Sequence, residues 1–266
     1  MPLDATSCLG SHDVLFLTID SLRYDVAKQA MAAGRTPVLA HALGHWDHRH
    51  SPASFTYAAH QAFFAGFLPT PATPERAGEH RLFAARFAGS QSTGPNTLEF
   101  DAPDIVTGFA QANYRTICIG GTGFFNKQTP LGNTLPSLFH ESWWSPAMGV
   151  TNARSQDHQV AKACERLAAT QGPVFLFMNL SACHAPHHAY LGAARRDSIQ
   201  SQTAALEALD TALAGLFASL KGSTLLIVCS DHGDAFGEDG FHGHRLGHTT
   251  VWDVPYGEAI LQGPLR

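Results

Sequence analysis

The chain has 266 residues, of which 44% are hydrophobic and 15% are charged, a profile typical of one domain with a sizeable buried core. With 17 lysine and arginine residues against 22 aspartate and glutamate residues, the formal net charge is −5, which disfavours nucleic-acid binding through general electrostatics. We predict a single catalytic domain over residues 1–266.

Short apolar runs alternate with helical patterns along the chain, which favours an α/β fold with a mostly parallel sheet covered by helices. The run from Asp13 to Ile19 predicts a buried strand, and Leu22 to Ala33 predicts a helix that Gly34 ends. Residues Ala58 to Ala65 predict a short helix closed by Gly66.

The second half of the chain repeats this alternation. Further strands are predicted at Arg115–Ile119, Pro173–Leu180, Ser223–Ser230 and Val254–Leu261, and long helices at about Ser155–Thr170 and Asp197–Leu220. Segments rich in glycine and proline predict loops over the sheet at Pro69–Pro74, Gly89–Pro95 and Gly120–Pro146.

Polar residues follow several of the predicted strands directly. Asp20 comes after the first strand, Asp231 and His232 come after another, and His184 lies just beyond a third. In open α/β sheets, ligands bind beyond the carboxyl ends of the strands, where two carboxylates and an imidazole can converge on one divalent cation. Mixed oxygen and nitrogen ligands suit Zn²⁺ or Mn²⁺, although Asp20 alone is explained equally well as a helix cap.

A candidate nucleophile stands just ahead of the predicted helix at Ala58. Thr56 would meet the free backbone N–H groups and the favourable dipole of a helix N-terminus, where a phosphate binds comfortably. The alternative is that Thr56 or Ser54 only caps the helix, and position alone favours that alternative.

Cysteine usage and the N-terminal segment indicate a compartment. The five cysteines form no CxxC pair and are odd in number, which argues against a disulfide scaffold. The chain opens without a basic segment followed by an apolar run, and no stretch approaches the roughly 18 apolar residues of a membrane span. We therefore expect a cytoplasmic protein with no membrane partner.

Four stretches of the chain resemble the alkaline phosphatase superfamily, in its sulfatase, phosphonate-monoester hydrolase, nucleotide-pyrophosphatase and phosphoethanolamine-transferase branches. In chain order they are DVLFLTIDSLRYD, TYAAHQAFFAGFLP, FLFMNLSACHAPHHAY and SDHGDAFGEDGFHGH. The resemblance implies an alkaline phosphatase-like single domain that lacks the large C-terminal subdomain of bigger sulfatases. Thr70–Gly94 and Gly121–Asn152 match no motif of the family.

The resemblance assigns roles to residues of the predicted site. Asp20, Asp231 and His232 are similar to the family's metal ligands, and Thr56 stands at the position of its nucleophile, which also contacts the metal. Sulfatases need a Cys or Ser there for conversion to formylglycine, and a threonine cannot form that aldehyde. Ala59 replaces an Asn that contacts the phosphoryl group in nucleotide-pyrophosphatase relatives.

Two roles stay open for His184 and His244, which match substrate-contacting positions of the family. They could contact the phosphate and protonate the leaving group, or they could bind a second metal ion. His242 and His248 are further candidates for a second metal. We expect one tightly bound Zn²⁺ or Mn²⁺, with a second ion weak or absent.

The remaining histidines are expected to be ordinary. His45, His48 and His50 read as a solvated loop, and His60 reads as structural within its helix. The positions His187, His188 and Asp234 are assigned to the rim of the site or to the surface.

These residues predict a metal-dependent hydrolase or phosphotransferase. A metal-activated Thr56 would attack a small phosphodiester, phosphonate or phosphomonoester and form a phosphoenzyme that water or an acceptor alcohol resolves. Two alternatives remain, a sulfate-ester hydrolase of the same superfamily and a catalytically silent metal- or anion-binding protein. The sequence leaves the natural substrate and the oligomeric state open.

Overall fold

The computed structural model describes residues 3–66, 83–84, 98–99, 104–192 and 194–265. Its strands are β1 (Asp13–Ile19), β2 (Asp47–His50), β3 (Phe83–Ala84), β4 (Leu98–Glu99), β5 (Arg115–Ile119), β6 (Glu141–Trp143), β7 (Val174–Leu180), β8 (Thr224–Cys229), β9 (Ala235–Phe236), β10 (His242–Gly243) and β11 (Asp253–Leu261). Its α-helices are α1 (Tyr24–Ala32), α2 (Pro37–Leu43), α3 (Thr56–Ala65), α4 (Ile105–Gln111), α5 (Pro130–Thr134), α6 (Ser155–Ala169), α7 (Ile199–Ala218) and α8 (Thr249–Trp252).

A seven-stranded sheet in the order β2-β11-β8-β1-β7-β5-β6 forms the centre of the fold. The strands from β8 to β6 pair in parallel, whereas β11 runs antiparallel to both β8 and β2. The predicted α/β class with a mostly parallel sheet is therefore confirmed. The register pairs Ile19 with Leu180 and Thr18 with Cys229, so β1, β7 and β8 end at the same edge.

Alternating side chains of the central strand β1 serve two separate cores. Leu15, Leu17 and Ile19 pack on one face with residues of α1, α2, α6 and α7, while Val14 and Phe16 pack on the other face with residues of α3 and α4. Because successive side chains of a strand point to opposite faces, a strand buried on both faces is apolar throughout. This explains why β1 reads as a continuous hydrophobic run.

Several short elements differ from the sequence-based predictions. His48 and His50 lie in the edge strand β2 and not in a loop, since β2 pairs with β11 although most of its side chains are exposed. Helix α2 was not predicted, and the segment 120–146, predicted to be a loop, contains α5 and β6. The predicted loops at 69–74 and 89–95 lie outside the described residues.

No helix in the described part of the chain is both long and apolar enough to cross a lipid bilayer. The longest of them, α7, buries much of one side against α1, α2 and α6. Its apolar residues thus belong to a protein core.

A buried carboxylate joins α2 to α7. Asp210 is 2% exposed and accepts hydrogen bonds from the backbone N–H groups of Val38, at 3.1 Å, and Leu39, at 2.8 Å. Burial raises the pKa of Asp210 above its ordinary value. These two N–H groups lie in the first turn of α2 and have no partner within the helix, so Asp210 satisfies them from outside.

We expect Asp210→Ala to lower the free energy of unfolding by about 2–3 kcal/mol, because two buried backbone donors lose their acceptor. Chemical denaturation of the variant and of wild type measures this difference. The matched control is Asp157→Ala, which removes an exposed carboxylate paired with Arg154 and should change the free energy by less than about 1 kcal/mol. Equal effects of the two substitutions would contradict this role of Asp210.

Candidate metal centre and active site

Three predicted ligands converge at the carboxyl ends of β1 and β8. Asp20, Asp231 and His232 are each 0% exposed, and one ligand atom from each lies within 4.8 Å of the other two. His232 Nε2 is 3.6 Å from Asp231 Oδ2 and 3.9 Å from Asp20 Oδ1. The sheet therefore brings together the residues that the sequence placed at neighbouring strand ends.

Asp20 is oriented by the residues around it. Its Oδ2 accepts a hydrogen bond from Asn179 Nδ2 at 2.9 Å, and its Oδ1 accepts one from Ser21 Oγ at 3.0 Å. Burial favours a higher pKa for Asp20, but His184 and His232 outweigh it and the pKa is lowered. The residue at the N-cap of α1 is Arg23, so Asp20 does not cap that helix.

Asp231 carries a buried oxygen without a partner. Its Oδ1 accepts hydrogen bonds from the backbone N–H groups of Ser21 at 3.1 Å and His232 at 3.0 Å. Its Oδ2 is buried and has no hydrogen-bond donor among the described residues. Burial and the charge of Asp20 raise the pKa of Asp231 well above its ordinary value. An unpartnered oxygen beside a second carboxylate is an environment that a cation would stabilise.

His232 is fixed in the orientation that a metal ligand requires. Its Nδ1 lies 3.0 Å from the carbonyl oxygen of Gly233 and donates to it, which leaves the Nε2 lone pair facing the two carboxylates. A Cβ at position 233 would stand 2.0 Å from the carbonyl oxygen of Thr250. Only glycine fits here, which explains the glycine after the Asp-His pair.

Thr56 is the first residue of α3 and is 2% exposed. Its Oγ1 lies 3.3 Å from His232 Nε2, at the edge of the metal cluster. The N-cap residue of α3 is Phe55, and no side chain caps the helix, which excludes a capping role for Thr56 or Ser54. The free N–H groups of this turn are available to an anion.

His60 forms a hydrogen bond to the backbone of Thr56. Its Nδ1 donates to the carbonyl oxygen of Thr56 at 2.7 Å, and its Nε2 lies 3.0 Å from Thr18 Oγ1. The ring is surrounded by phenylalanines, and burial lowers the pKa of His60 to about 4. A neutral imidazole with both nitrogens engaged holds the helix in place, which agrees with the structural role expected for it.

A second group of candidate ligands adjoins the first. Asp234, His244 and His232 also have ligand atoms within 4.8 Å of one another. Asp234 is 2% exposed, and its Oδ1 lies 2.7 Å from His244 Nδ1. The ring centroid of His244 is 4.4 Å from that of His232 and 6.3 Å from that of His184.

The sequence assigns Asp234 to the rim of the site or to the surface, whereas the structure buries it in this second group. The available signal was its position in the string SDHGD, because a carboxylate three residues after Asp231 leaves the same strand end. The segment SACHAPHH around His184 contains histidines but no carboxylate. In the structure, Asp234 supplies a carboxylate beside the neighbouring His244.

Two further candidates for a second metal stand apart. His248 is the N-cap residue of α8, its Nδ1 accepts from the backbone N–H of Thr250, and its Nε2 lies 3.1 Å from Asp239 Oδ2. His242 is exposed on β10 and joins neither ligand group among the described residues. The structure thus brings His184 and His244 to the site but not His242 or His248.

A buried arginine anchors the loop that carries Asp234. Arg23 is 3% exposed, forms ion pairs with Asp25 at 2.7 Å and Glu238 at 2.5 Å, and donates to the carbonyl oxygen of Asp234 at 3.3 Å. No local sequence pattern indicates this role, because Arg23 and Glu238 are far apart in the chain. The ion pair with Glu238 and the hydrogen bond to Asp234 connect the start of α1 to the segment after β8.

The Sulfatase family model matches residues 13–258. The chain belongs to the Sulfatase family. No curated protein sequence matches it. Among solved structures it is similar to the soluble domain of lipooligosaccharide phosphoethanolamine transferase A from Neisseria meningitidis, with 13% identity, 94% of this chain and 76% of that chain covered, and a TM-score of 0.63.

Two other solved structures share the fold. One is the C-terminal periplasmic domain of EcEptC from Escherichia coli in complex with Zn, with 14% identity, coverage of 95% and 73%, and a TM-score of 0.61. The other is an alkaline phosphatase superfamily protein from Vibrio parahaemolyticus, with 17% identity, coverage of 94% and 60%, and a TM-score of 0.55. The resemblance to the alkaline phosphatase superfamily is therefore confirmed.

We expect Asp231→Ala to abolish tight divalent-metal binding, since it removes the unpartnered oxygen, whereas His248→Ala should keep the wild-type stoichiometry. Metal content after dialysis, measured by plasma emission, checks both variants. Equal metal content in wild type and Asp231→Ala would contradict the assigned site.

Metal affinity should also depend on pH. The raised pKa of Asp231 means that the metal-free protein holds a proton there at pH values above the ordinary carboxyl range of about 4, and a cation must displace it. Affinity measured by calorimetry should therefore fall as the pH is lowered toward that range. A flat profile between pH 4 and pH 8 would contradict proton displacement by the metal.

Proposed function

We propose that this chain is a metal-dependent phosphoesterase or phosphotransferase with Thr56 as its nucleophile. The observation that carries the proposal is the position of Thr56 Oγ1, 3.3 Å from His232 Nε2 at the N-terminus of α3 and beside the unpartnered oxygen of Asp231. A hydroxyl, a cation site and free N–H groups there face a common point, which suits the transfer of a phosphoryl group.

The residues divide the work between binding and bond exchange. Asp20, Asp231 and His232 would hold a divalent ion, Zn²⁺ or Mn²⁺. When bound, such an ion supplies Lewis-acid stabilisation of charge on the phosphoryl oxygens and lowers the pKa of a nearby hydroxyl. The first turn of α3 offers its N–H groups to the same oxygens.

The bond exchange then has two steps. Thr56 Oγ1 would form a bond to phosphorus as its proton passes to water and the bond to the departing oxygen breaks, giving a phosphothreonine and, once that oxygen takes up a proton, a free alcohol. Water or an acceptor alcohol then attacks phosphorus and releases Thr56. His244, held by Asp234, and His184 stand where they can contact the phosphoryl oxygens or protonate the departing oxygen.

Phosphate esters are preferred over sulfate esters because threonine cannot form the formylglycine of sulfatases. The proposal includes both hydrolysis, in which water attacks the phosphothreonine, and transfer to an acceptor alcohol. One of the similar structures, the soluble domain from Neisseria meningitidis, is named as a phosphoethanolamine transferase, which supports transfer to an alcohol as well as hydrolysis. The substrate is a small phosphodiester, phosphonate or phosphomonoester, and the cytoplasmic location remains a prediction.

We expect Thr56→Ala to reduce turnover of bis-p-nitrophenyl phosphate and p-nitrophenyl phosphate by on the order of 10³-fold, because the nucleophile is lost. Release of p-nitrophenol by zinc- or manganese-loaded protein measures it. Thr56→Ser is the matched control, since it keeps the hydroxyl and should retain part of the activity.

Three outcomes would count against this function. Equal turnover by wild type and Thr56→Ala would exclude Thr56 as nucleophile. Faster turnover of p-nitrophenyl sulfate than of either phosphate ester would favour the sulfatase alternative. Bound metal with no turnover of any of the three esters would favour a silent binding protein.

A further inference from the structure

A pocket adjoins the candidate active site. It has a volume of about 530 Å³, and its lining includes Asp234, which belongs to the second ligand group. Ala185 and Gly243, the chain neighbours of His184 and His244, also line it. The pocket therefore borders the candidate site at Asp234 and beside His184 and His244.

Two arginines and two aspartates line this pocket, and only the arginines lack side-chain partners among the described residues. Arg195 and Arg196 both line it and are exposed, and neither forms an ion pair or hydrogen bond with any residue that the structure describes. An arginine fork without a carboxylate partner is free to bind a carboxylate or phosphate of a ligand.

The acidic groups of the pocket are already engaged. Asp197 Oδ1 accepts from the backbone N–H groups of His187 at 2.8 Å and His188 at 2.6 Å, and lies 3.2 Å from His188 Nδ1. Asp234 Oδ1 lies 2.7 Å from His244 Nδ1. One oxygen of each carboxylate thus has partners of its own, whereas neither guanidinium group has one among the described residues.

We propose that this pocket binds an anionic group on the substrate, so that the chain prefers phosphate esters or phosphonates whose other substituent carries a carboxylate or a second phosphate. The inference rests on the proposed function, because it assumes that the phosphoryl group binds at Thr56. A substituent with a cationic amine, as in phosphoethanolamine, would meet two positive charges in this pocket and bind less well.

Matched phosphonates test this preference in metal-loaded protein. Isothermal titration calorimetry compares 3-phosphonopropionate, n-propylphosphonate and 2-aminoethylphosphonate, which have similar size and carry an anionic, a neutral and a cationic tail. We expect 3-phosphonopropionate to bind about five- to tenfold more tightly than n-propylphosphonate, and 2-aminoethylphosphonate to bind most weakly. Phosphonoacetate and 4-phosphonobutyrate extend the series to shorter and longer tails.

Two double variants separate this pocket from the general charge of the protein. Arg195→Ala/Arg196→Ala should remove the preference for the anionic tail, and Arg195→Glu/Arg196→Glu should reverse it in favour of 2-aminoethylphosphonate. Arg154→Ala/Lys28→Ala removes the same number of positive charges outside this pocket and should keep the wild-type preference.

The possible results separate a failure of the anion-binding pocket from a failure of the phosphoesterase proposal. If phosphonoacetate, 3-phosphonopropionate and 4-phosphonobutyrate all bind to wild type no more tightly than n-propylphosphonate, the anion-binding pocket is wrong and the phosphoesterase proposal stands. The same conclusion follows if the preference for the anionic tail survives in Arg195→Ala/Arg196→Ala. If none of these five phosphonates binds to the metal-loaded wild-type protein, both proposals fall.

Discussion

Two carboxylates held out of water at one point are the constraint on which the rest of this structure depends. Asp20 and Asp231 are both fully buried, and the desolvation of a charged carboxylate costs several kcal/mol unless an opposite charge compensates it. Burial and the charge of Asp20 raise the pKa of Asp231, which disfavours charge on both carboxyl groups at once. A divalent cation bound here would supply that compensation and would couple metal binding to folding.

The sheet meets this constraint through strand order. Because β1 lies between β7 and β8, the residues after β1 and β8 are neighbours, and Asn179 reaches Asp20 from β7. Ser21 binds both carboxylates, through its hydroxyl to Asp20 and its backbone N–H to Asp231. A parallel arrangement of these three strands is what allows polar groups so far apart in the chain to share one buried volume.

Much of this could be predicted from the sequence. The long strands and helices carry strong apolar patterns, and Asp20, Asp231 and His232 were identifiable because they directly follow such strands. Short elements were not predictable in the same way. The edge strand β2 has charged residues and depends on pairing with β11, and α2 depends on Asp210 of a distant helix for its first turn.

The site itself shows the same division. Thr56 was found through resemblance and through its helix, although the helix was expected to begin two residues later. The contacts of Asp234 and Arg23 arise from residues that meet only after folding, and no local pattern encodes such contacts. His248 illustrates the converse, since its spacing suited a metal ligand while its side chain instead contacts Asp239.

Two hydrogen bonds hold the segment before α3 in place, and this affects how such a protein can change during evolution. Ser51 Oγ lies 2.5 Å from the carbonyl oxygen of Asp231, and the backbone N–H of Arg245 donates to the carbonyl oxygen of Ser54 at 2.8 Å. The segment that leads to Thr56 is thereby tethered on one side to Asp231, after β8, and on the other to the residue next to His244. Surface loops can lengthen, shorten or change charge during evolution without altering the reacting geometry, so substrate range and chemistry can change independently of each other.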